Sequence, residues 1–173
     1  MAAKILLTGV PGVGKTTVIR GVARLLGDRA AGFYTEERRE GKRRVGFDLI
    51  TLDGKRARLS HVHINSAHRV GRYGVDVEAI NSLGASTIEK AVGQSRIIII
   101  DEIGKMELFS ASFRDAVTKA FESDNPVVAV IMKKSHPFAD SIKRRSDVQL
   151  IEVTQSNRDV LPARIARDLG AVS

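Results

Sequence analysis

Apolar residues follow two alternating rhythms along the chain. Aliphatic and β-branched runs within residues 4–8, 96–100 and 126–132 have the character of strands covered on both faces, and residues 148–153 read as a further strand. Between them, apolar residues recur every three or four positions, the spacing of amphipathic helices. Val18, Ile19, Val22, Leu25 and Leu26 mark one such helix, with Gly27 as its stop; Val77, Ile80, Leu83, Ile88 and Val92 mark another, weakened by Gly84. Residues 112–122, 137–145 and 157–169 predict three more, the last with Thr154 or Ser156 as cap. Strand alternating with helix implies a mainly parallel sheet between helical layers, joined by right-handed crossovers.

One stretch breaks the alternation. Residues 31–36, 44–51 and 55–60 read as extended segments joined by turns at Glu40-Gly41 and Asp53-Gly54, so an antiparallel hairpin is inserted into the parallel pattern. Residues 61–75 show no clear period, and Gly71, Arg72, Tyr73 and Gly74 suggest an ordered but irregular loop or lid. The length of 173 residues suits one domain spanning 1–173. No repeat, low-complexity tract or linker divides it.

Composition narrows the chemistry. With no cysteine there is neither a disulfide framework nor a thiolate nucleophile. No apolar span is long enough for a bilayer and no secretory leader is recognisable, so a cytoplasmic protein without a membrane role is expected. A formal charge of +8 and a pI near 10.1 favour anionic partners without choosing among them. Basic residues crowd two segments, Arg38, Arg39, Lys42, Arg43, Arg44, Lys55, Arg56 and Arg58, then Lys133, Lys134, Lys143, Arg144 and Arg145. No aromatics interleave with them as a base-stacking platform requires. Nucleic acid is therefore compatible as a partner but not required.

The most specific signal lies between the first strand and the first helix. Gly9, Val10, Pro11, Gly12, Val13, Gly14, Lys15 and Thr16 form a full phosphate-binding loop, with glycines, lysine and hydroxyl in register. Such a loop wraps backbone N–H groups around phosphate oxygens, and the following helix N-terminus adds partial positive charge. Lys15 is placed to reach the outer phosphates. The Thr16 hydroxyl is placed to ligate a magnesium ion that keeps several waters, and Thr17 to touch the inner phosphate. The ligand expected from this pattern is a nucleoside triphosphate.

A second element follows the strand at 96–100. Ligands of open parallel sheets sit beyond the C-terminal strand ends, where Asp101 and Glu102 stand. Asp101 suits a magnesium ligand, mostly through water, and Glu102 a proton acceptor for water attacking the γ-phosphate. Positive charge for the phosphate in transit has several candidates. Lys105 ranks first because Gly104 lets the chain turn back, followed by Arg72 and Arg69, then Arg44 and Arg38.

The run Asp101-Glu102-Ile103-Gly104-Lys105-Met106-Glu107-Leu108-Phe109-Ser110 resembles the nucleoside-triphosphatase family first described in thermophiles. So do Gly32-Phe33-Tyr34-Thr35-Glu36-Glu37, Gly46-Phe47-Asp48, Arg72-Tyr73-Gly74-Val75 and Thr154-Gln155-Ser156-Asn157-Arg158-Asp159. The resemblance spans nearly the whole chain. It implies a P-loop α/β three-layer sandwich with a mainly parallel sheet and an antiparallel hairpin insertion. It also implies magnesium-dependent hydrolysis of ATP, GTP, CTP and UTP to the diphosphate and phosphate, with broad base specificity. The implied nucleotide-binding segments are residues 9–16 and the strand end Ile97, Ile98, Ile99, Ile100, Asp101, Glu102, Ile103 and Gly104. The resemblance and the acidic pair together place the strand at 127–131 between those at 4–8 and 96–100; a monomer is expected. Lys133-Lys134-Ser135-His136-Pro137 follows the family pattern only loosely, so Lys133 and His136 receive no sensor role.

Rival readings remain at this level. Asp101-Glu102-Ile103-Gly104 also matches the Asp-x-x-Gly of switch GTPases, but the Asn-Lys-x-Asp signature for guanine is missing. A nucleotide or small-molecule kinase would use an arginine-rich lid over donor and acceptor. A nucleic-acid-stimulated ATPase would exploit the basic balance. Asn157-Arg158-Asp159 follows the last strand and is placed either near the base or as a plain helix start. His61 and His63 share one strand face, as in some metal sites, without a third ligand. Met106, Leu108, Phe109, Phe113 and Val117 are expected to pack the following helix onto the sheet.

Overall fold

The computed structural model describes residues 2–170. Its chain order is β1 Lys4–Thr8, α1 Lys15–Leu26, β2 Ala30–Glu40, β3 Arg43–Thr51, β4 Arg56–His61, β5 Arg69–Val70 and β6 Tyr73–Val75. A helical run follows, α2 Val77–Ala79, a π turn at Ile80–Ala85 and α3 Ser86–Ala91, and then β7 Ile97–Ile103, α4 Ala111–Glu122, β8 Val127–Ile131, α5 Pro137–Lys143, β9 Val148–Glu152 and α6 Leu161–Asp168.

All nine strands form one sheet in the order β5-β6-β4-β3-β2-β7-β8-β1-β9. From β2 to β9 the neighbours run parallel; from β2 to β5 they run antiparallel. The expected hairpin is therefore not a detached insertion. Strand β2 belongs to both regimes, pairing with β7 on one side and β3 on the other. As the resemblance implies, β8 lies between β1 and β7.

Alternation along the central strands divides the apolar residues between two helical layers, as a side-chain period of two demands. Leu6, Ile98, Ile100, Val127 and Ala129 point into one core, against Ile80 and Ile88 of the helical run and Phe113, Ala116, Val117 and Ala120 of α4. Ile5, Leu7, Ile97, Ile99, Val128 and Val130 point into the other, against Val18, Ile19 and Val22 of α1 and Leu161 and Ile165 of α6. Leu108, Phe113 and Val117 are buried and Met106 and Phe109 pack beside them, so this group seats α4 as its spacing predicts.

Four local expectations are corrected. Leu25 is 48% exposed, because the apolar stripe of α1 is narrower than the sequence pattern. Gly84 does not weaken its helix into a break; it sits in the π turn, where an added Cβ would lie 3.2 Å from Leu49 Cδ1. Residues 61–75 are less irregular than their composition suggests, since Gly71, at φ 56, turns β5 back onto β6. The last helix begins at Leu161 rather than at 157. Thr154 and Asn157 instead build a closed turn, in which Thr154 N–H donates to Asn157 Oδ1 at 2.8 Å and Asn157 Nδ2 to Glu152 O at 2.8 Å.

Candidate active site

Strand β1 ends at Thr8 and α1 begins at Lys15, so residues 9–14 form the loop between them. Gly14 precedes the helix at φ 111, a left-handed conformation that residues with a Cβ adopt only at a cost. No side chain caps α1. Its first N–H groups are thus left for an outside acceptor, the arrangement that favours an anion. Gly9 makes a close approach, for a Cβ there would lie 2.9 Å from Val153 O, just past the end of β9. Val13 anchors the loop in the second core at 8% exposure, whereas Val10 stands 50% exposed. Pro11, Gly12 and Thr17 are exposed as well.

Lys15 lies across its own loop, with Nζ donating to Gly9 O at 2.6 Å and at the limit of reach to Val10 O. Across the central β8, the end of β7 brings Asp101 and Glu102 to the same edge of the sheet. Asp101 is 2% exposed and Glu102 half-buried, and the peptide bond between them is cis. The β7–β8 register shifts between Asp101 and Ile103, so Glu102 falls where the ladder is interrupted.

The electrostatics tie these groups into one site. Burial pushes the Asp101 carboxyl up to about 7, and the neighbouring Glu102 charge adds to the rise. The Thr16 hydroxyl, the Thr35 backbone N–H and the Lys15 charge draw it back. Glu102 is also raised by burial and drawn down by Lys15. Lys15, Thr16, Asp101 and Glu102, expected from two separated motifs, are therefore brought together. The side chains of Ile97, Ile98, Ile99, Ile100 and Ile103 are spent on the two cores; their contribution is to fix where the acidic pair stands.

Asp101 Oδ2 is buried and has no hydrogen-bond partner among the described residues. An orphaned carboxylate oxygen is costly in an apolar setting. Together with the Thr16 hydroxyl it offers a hard, all-oxygen donor set that leaves room for waters and phosphate oxygens, the set that suits magnesium. The residues fit the ion that the motifs imply.

A stability measurement follows from the same carboxyl. Its folded pKa of about 7 lies above the ordinary 3.8. Its favourable contribution is then complete below the ordinary value and is lost as pH rises through about 7. Asp101→Asn should accordingly melt at a higher temperature than the wild type at pH 8 without nucleotide or metal, with the gap shrinking toward pH 5. Equal melting temperatures at both pH values would show that this carboxyl is not strained by burial.

The candidate cations fare unevenly. Lys105 is exposed on the turn after Gly104. Arg38 binds Asp48 with two hydrogen bonds at 3.2 and 3.0 Å. Arg44 donates to Tyr73 Oη and Glu37. Arg69 donates to Ile64 O and Arg72 O, and Arg72 to Arg44 O and Tyr73 Oη. These four arginines hold the antiparallel edge together. Arg158 reaches the phosphate loop instead, donating to Val13 O at 3.2 Å.

Other singled-out residues have local roles. His61 Nδ1 accepts the His63 N–H at 3.1 Å, and among the described residues no third His, Cys, Asp or Glu joins the pair as a metal ligand. His136 caps α5 by accepting the Phe138 N–H at 3.2 Å. Lys133 pairs with Glu152 at 3.3 Å. Sequence reasoning overlooked two contributors. Thr35 acts through its backbone, which no side-chain pattern reveals. Glu107 is 3% exposed, and its signal was an acid set among Met106, Leu108 and Phe109.

A glycine-rich loop closing on a helix, with an acidic pair at a parallel strand end across one intervening strand, defines the phosphate-loop class of α/β nucleotide-binding proteins. The chain belongs to the NTPase family, which it matches over residues 4–166. It is 49% identical over 158 residues to nucleoside-triphosphatase THEP1 of Thermotoga maritima, covering 91% of this chain and 90% of that protein. It is 40% identical over 177 residues to the human cancer-related nucleoside-triphosphatase, covering 93% of each. The crystal structure of THEP1 from the hyperthermophile Aquifex aeolicus is similar with a TM-score of 0.89 at 42% identity, over 96% of this chain and 98% of that one.

Proposed function

We propose that this chain hydrolyses nucleoside 5′-triphosphates to the diphosphate and phosphate, acting on ATP, GTP, CTP and UTP with magnesium. The observation that carries this is the convergence of Lys15, Thr16, Asp101 and Glu102 at one sheet edge. The names of its relatives support the same reaction class.

In this reading the loop amides from Gly9 to Gly14 and the start of α1 bind the phosphates. Lys15 exchanges its loop carbonyls for the outer phosphates. Thr16 and Asp101 hold the magnesium ion, which when bound neutralises charge on the transferred phosphoryl group. Glu102 accepts the proton of the attacking water. Its burial raises its basicity, and the Lys15 charge opposes that rise. Lys105, exposed on the adjoining turn, is the cation assigned to the phosphate in transit. Every group in this scheme addresses phosphate, metal or water, which all four triphosphates share, so base preference is weak.

The kinase alternative needs a lid of free arginines, whereas Arg69 and Arg72 are engaged with backbone carbonyls of the hairpin edge. No helix among the described residues is long and apolar enough to cross a membrane. We place the enzyme in the cytoplasm, working as a monomer without need of nucleic acid. The deciding measurement is phosphate release from the four triphosphates, with and without RNA, in magnesium and in chelator. Release from all four that depends on magnesium and not on RNA is expected; release only with an added phosphoryl acceptor would establish a kinase.

A further inference from the structure

Beyond β7 the chain turns sharply at Gly104, with Leu108 N–H donating to Gly104 O at 3.0 Å, and enters a 3-10 turn at Glu107–Phe109. Leu108, 4% exposed, packs into the first core from this turn. Glu107 is buried as deeply, yet it is an acid, and among the described residues it takes part in no ion pair. Burying a carboxyl without a cation is unfavourable unless it does something in return. The backbone N–H groups of Glu102 and Glu107 draw its pKa down, against that burial. Burial, with the nearby Glu102 and Asp101 charges, holds Glu107 well above the usual carboxylate range.

The Glu102 peptide lies at the break in the β7–β8 register. The Glu102 side chain folds across Gly104 so closely that a Cβ there would lie 2.8 Å from its Cγ and Cδ and 2.9 Å from Oε1. Glu102 thus stands between a glycine that leaves room for its side chain and the buried acid of the turn that follows.

We propose that Glu107 is a positioning residue, whose carboxyl oxygen holds the Glu102 peptide N–H and so aims the Glu102 carboxylate at the attacking water. This rests on the reading of Glu102 as proton acceptor. Displacements of an ångström at such a group cost up to about a hundredfold in rate.

The test compares Glu107→Gln, which keeps an acceptor oxygen, with Glu107→Met, which keeps most of the volume and removes it. Each is made in the wild type and in Glu102→Gln, and magnesium-dependent ATP hydrolysis is measured alongside melting temperature. Glu107→Met should lower kcat by about tenfold to a hundredfold with KM within about threefold, while Glu107→Gln stays within about threefold of wild-type kcat. In the Glu102→Gln background the Met substitution should cost less than about twofold, because its effect passes through Glu102. The same loss in both backgrounds would mark Glu107 as merely structural and overturn the proposal. If Glu107→Met does not fold, Glu107→Gln decides, and a loss beyond about tenfold there overturns the proposal by showing that the ionisable acid, not an acceptor, is needed. Full turnover in Glu102→Gln alone would overturn the parent reading, and this one with it.

Discussion

Glu102→Gln should bind nucleotide as tightly as the wild type or more so and lose nearly all turnover, by about 10² to 10⁴-fold in kcat. The amide keeps the shape of the side chain, so its place across Gly104 is preserved. What it loses is the ability to take a proton. Ground-state affinity should not fall, because a negative charge has been removed from beside a polyphosphate, while the barrier rises by the full value of general-base assistance. Saturating phosphate-release assays paired with a calorimetric Kd separate the two quantities. An unchanged kcat would remove Glu102 from the mechanism.

Lys15→Ala should damage binding and chemistry together. Its Nζ donates to Gly9 O at 2.6 Å and reaches Val10 O at 3.5 Å, so a phosphate must compete only with neutral carbonyls for the ammonium. A charge-assisted hydrogen bond contributes about 1.5–3 kcal/mol, so affinity should weaken by at least about tenfold. Loss of a cation aimed at developing phosphate charge should lower kcat by a further 10² to 10³-fold, about what a missing oxyanion donor costs. A second consequence is internal. Lys15 lowers the pKa of both Asp101 and Glu102, so without it both carboxyls hold their protons to higher pH, and residual activity should shift toward alkaline pH. Wild-type kcat/KM in this variant would discredit the loop assignment.

What the sequence could and could not reveal divides along physical lines. The loop at 9–16, the acidic pair and the central strand were legible because their chemistry needs particular residues at fixed spacing. The two cores followed from alternation: Ile97 and Ile99 face one layer and Ile98 and Ile100 the other. The short strands at 69–75 were not legible, because their pairing is set by partners distant in sequence rather than by their own period. The start of α6 was misjudged by four residues, because Asn157 spends its polar groups on the end of β9 instead of on a helix cap. Glu107 was hidden by the opposite effect. Its neighbours announced a packing turn, and only three-dimensional placement shows the acid buried in the turn that follows β7.

The Ile97–Ile103 strand also bears on the behaviour of the unfolded chain. A run of four isoleucines is a segment of the kind that drives cross-β assembly when exposed. In the native sheet it is held between β2 and β8, with no free rim. The outer rims are instead a two-residue strand opening with Arg69 and a five-residue strand on which exposed Leu150 stands between exposed Gln149 and Glu152, both short and bearing polar side chains that discourage strand addition. Fibril seeding by this protein should therefore track unfolding of its centre, and stay silent while that centre is intact.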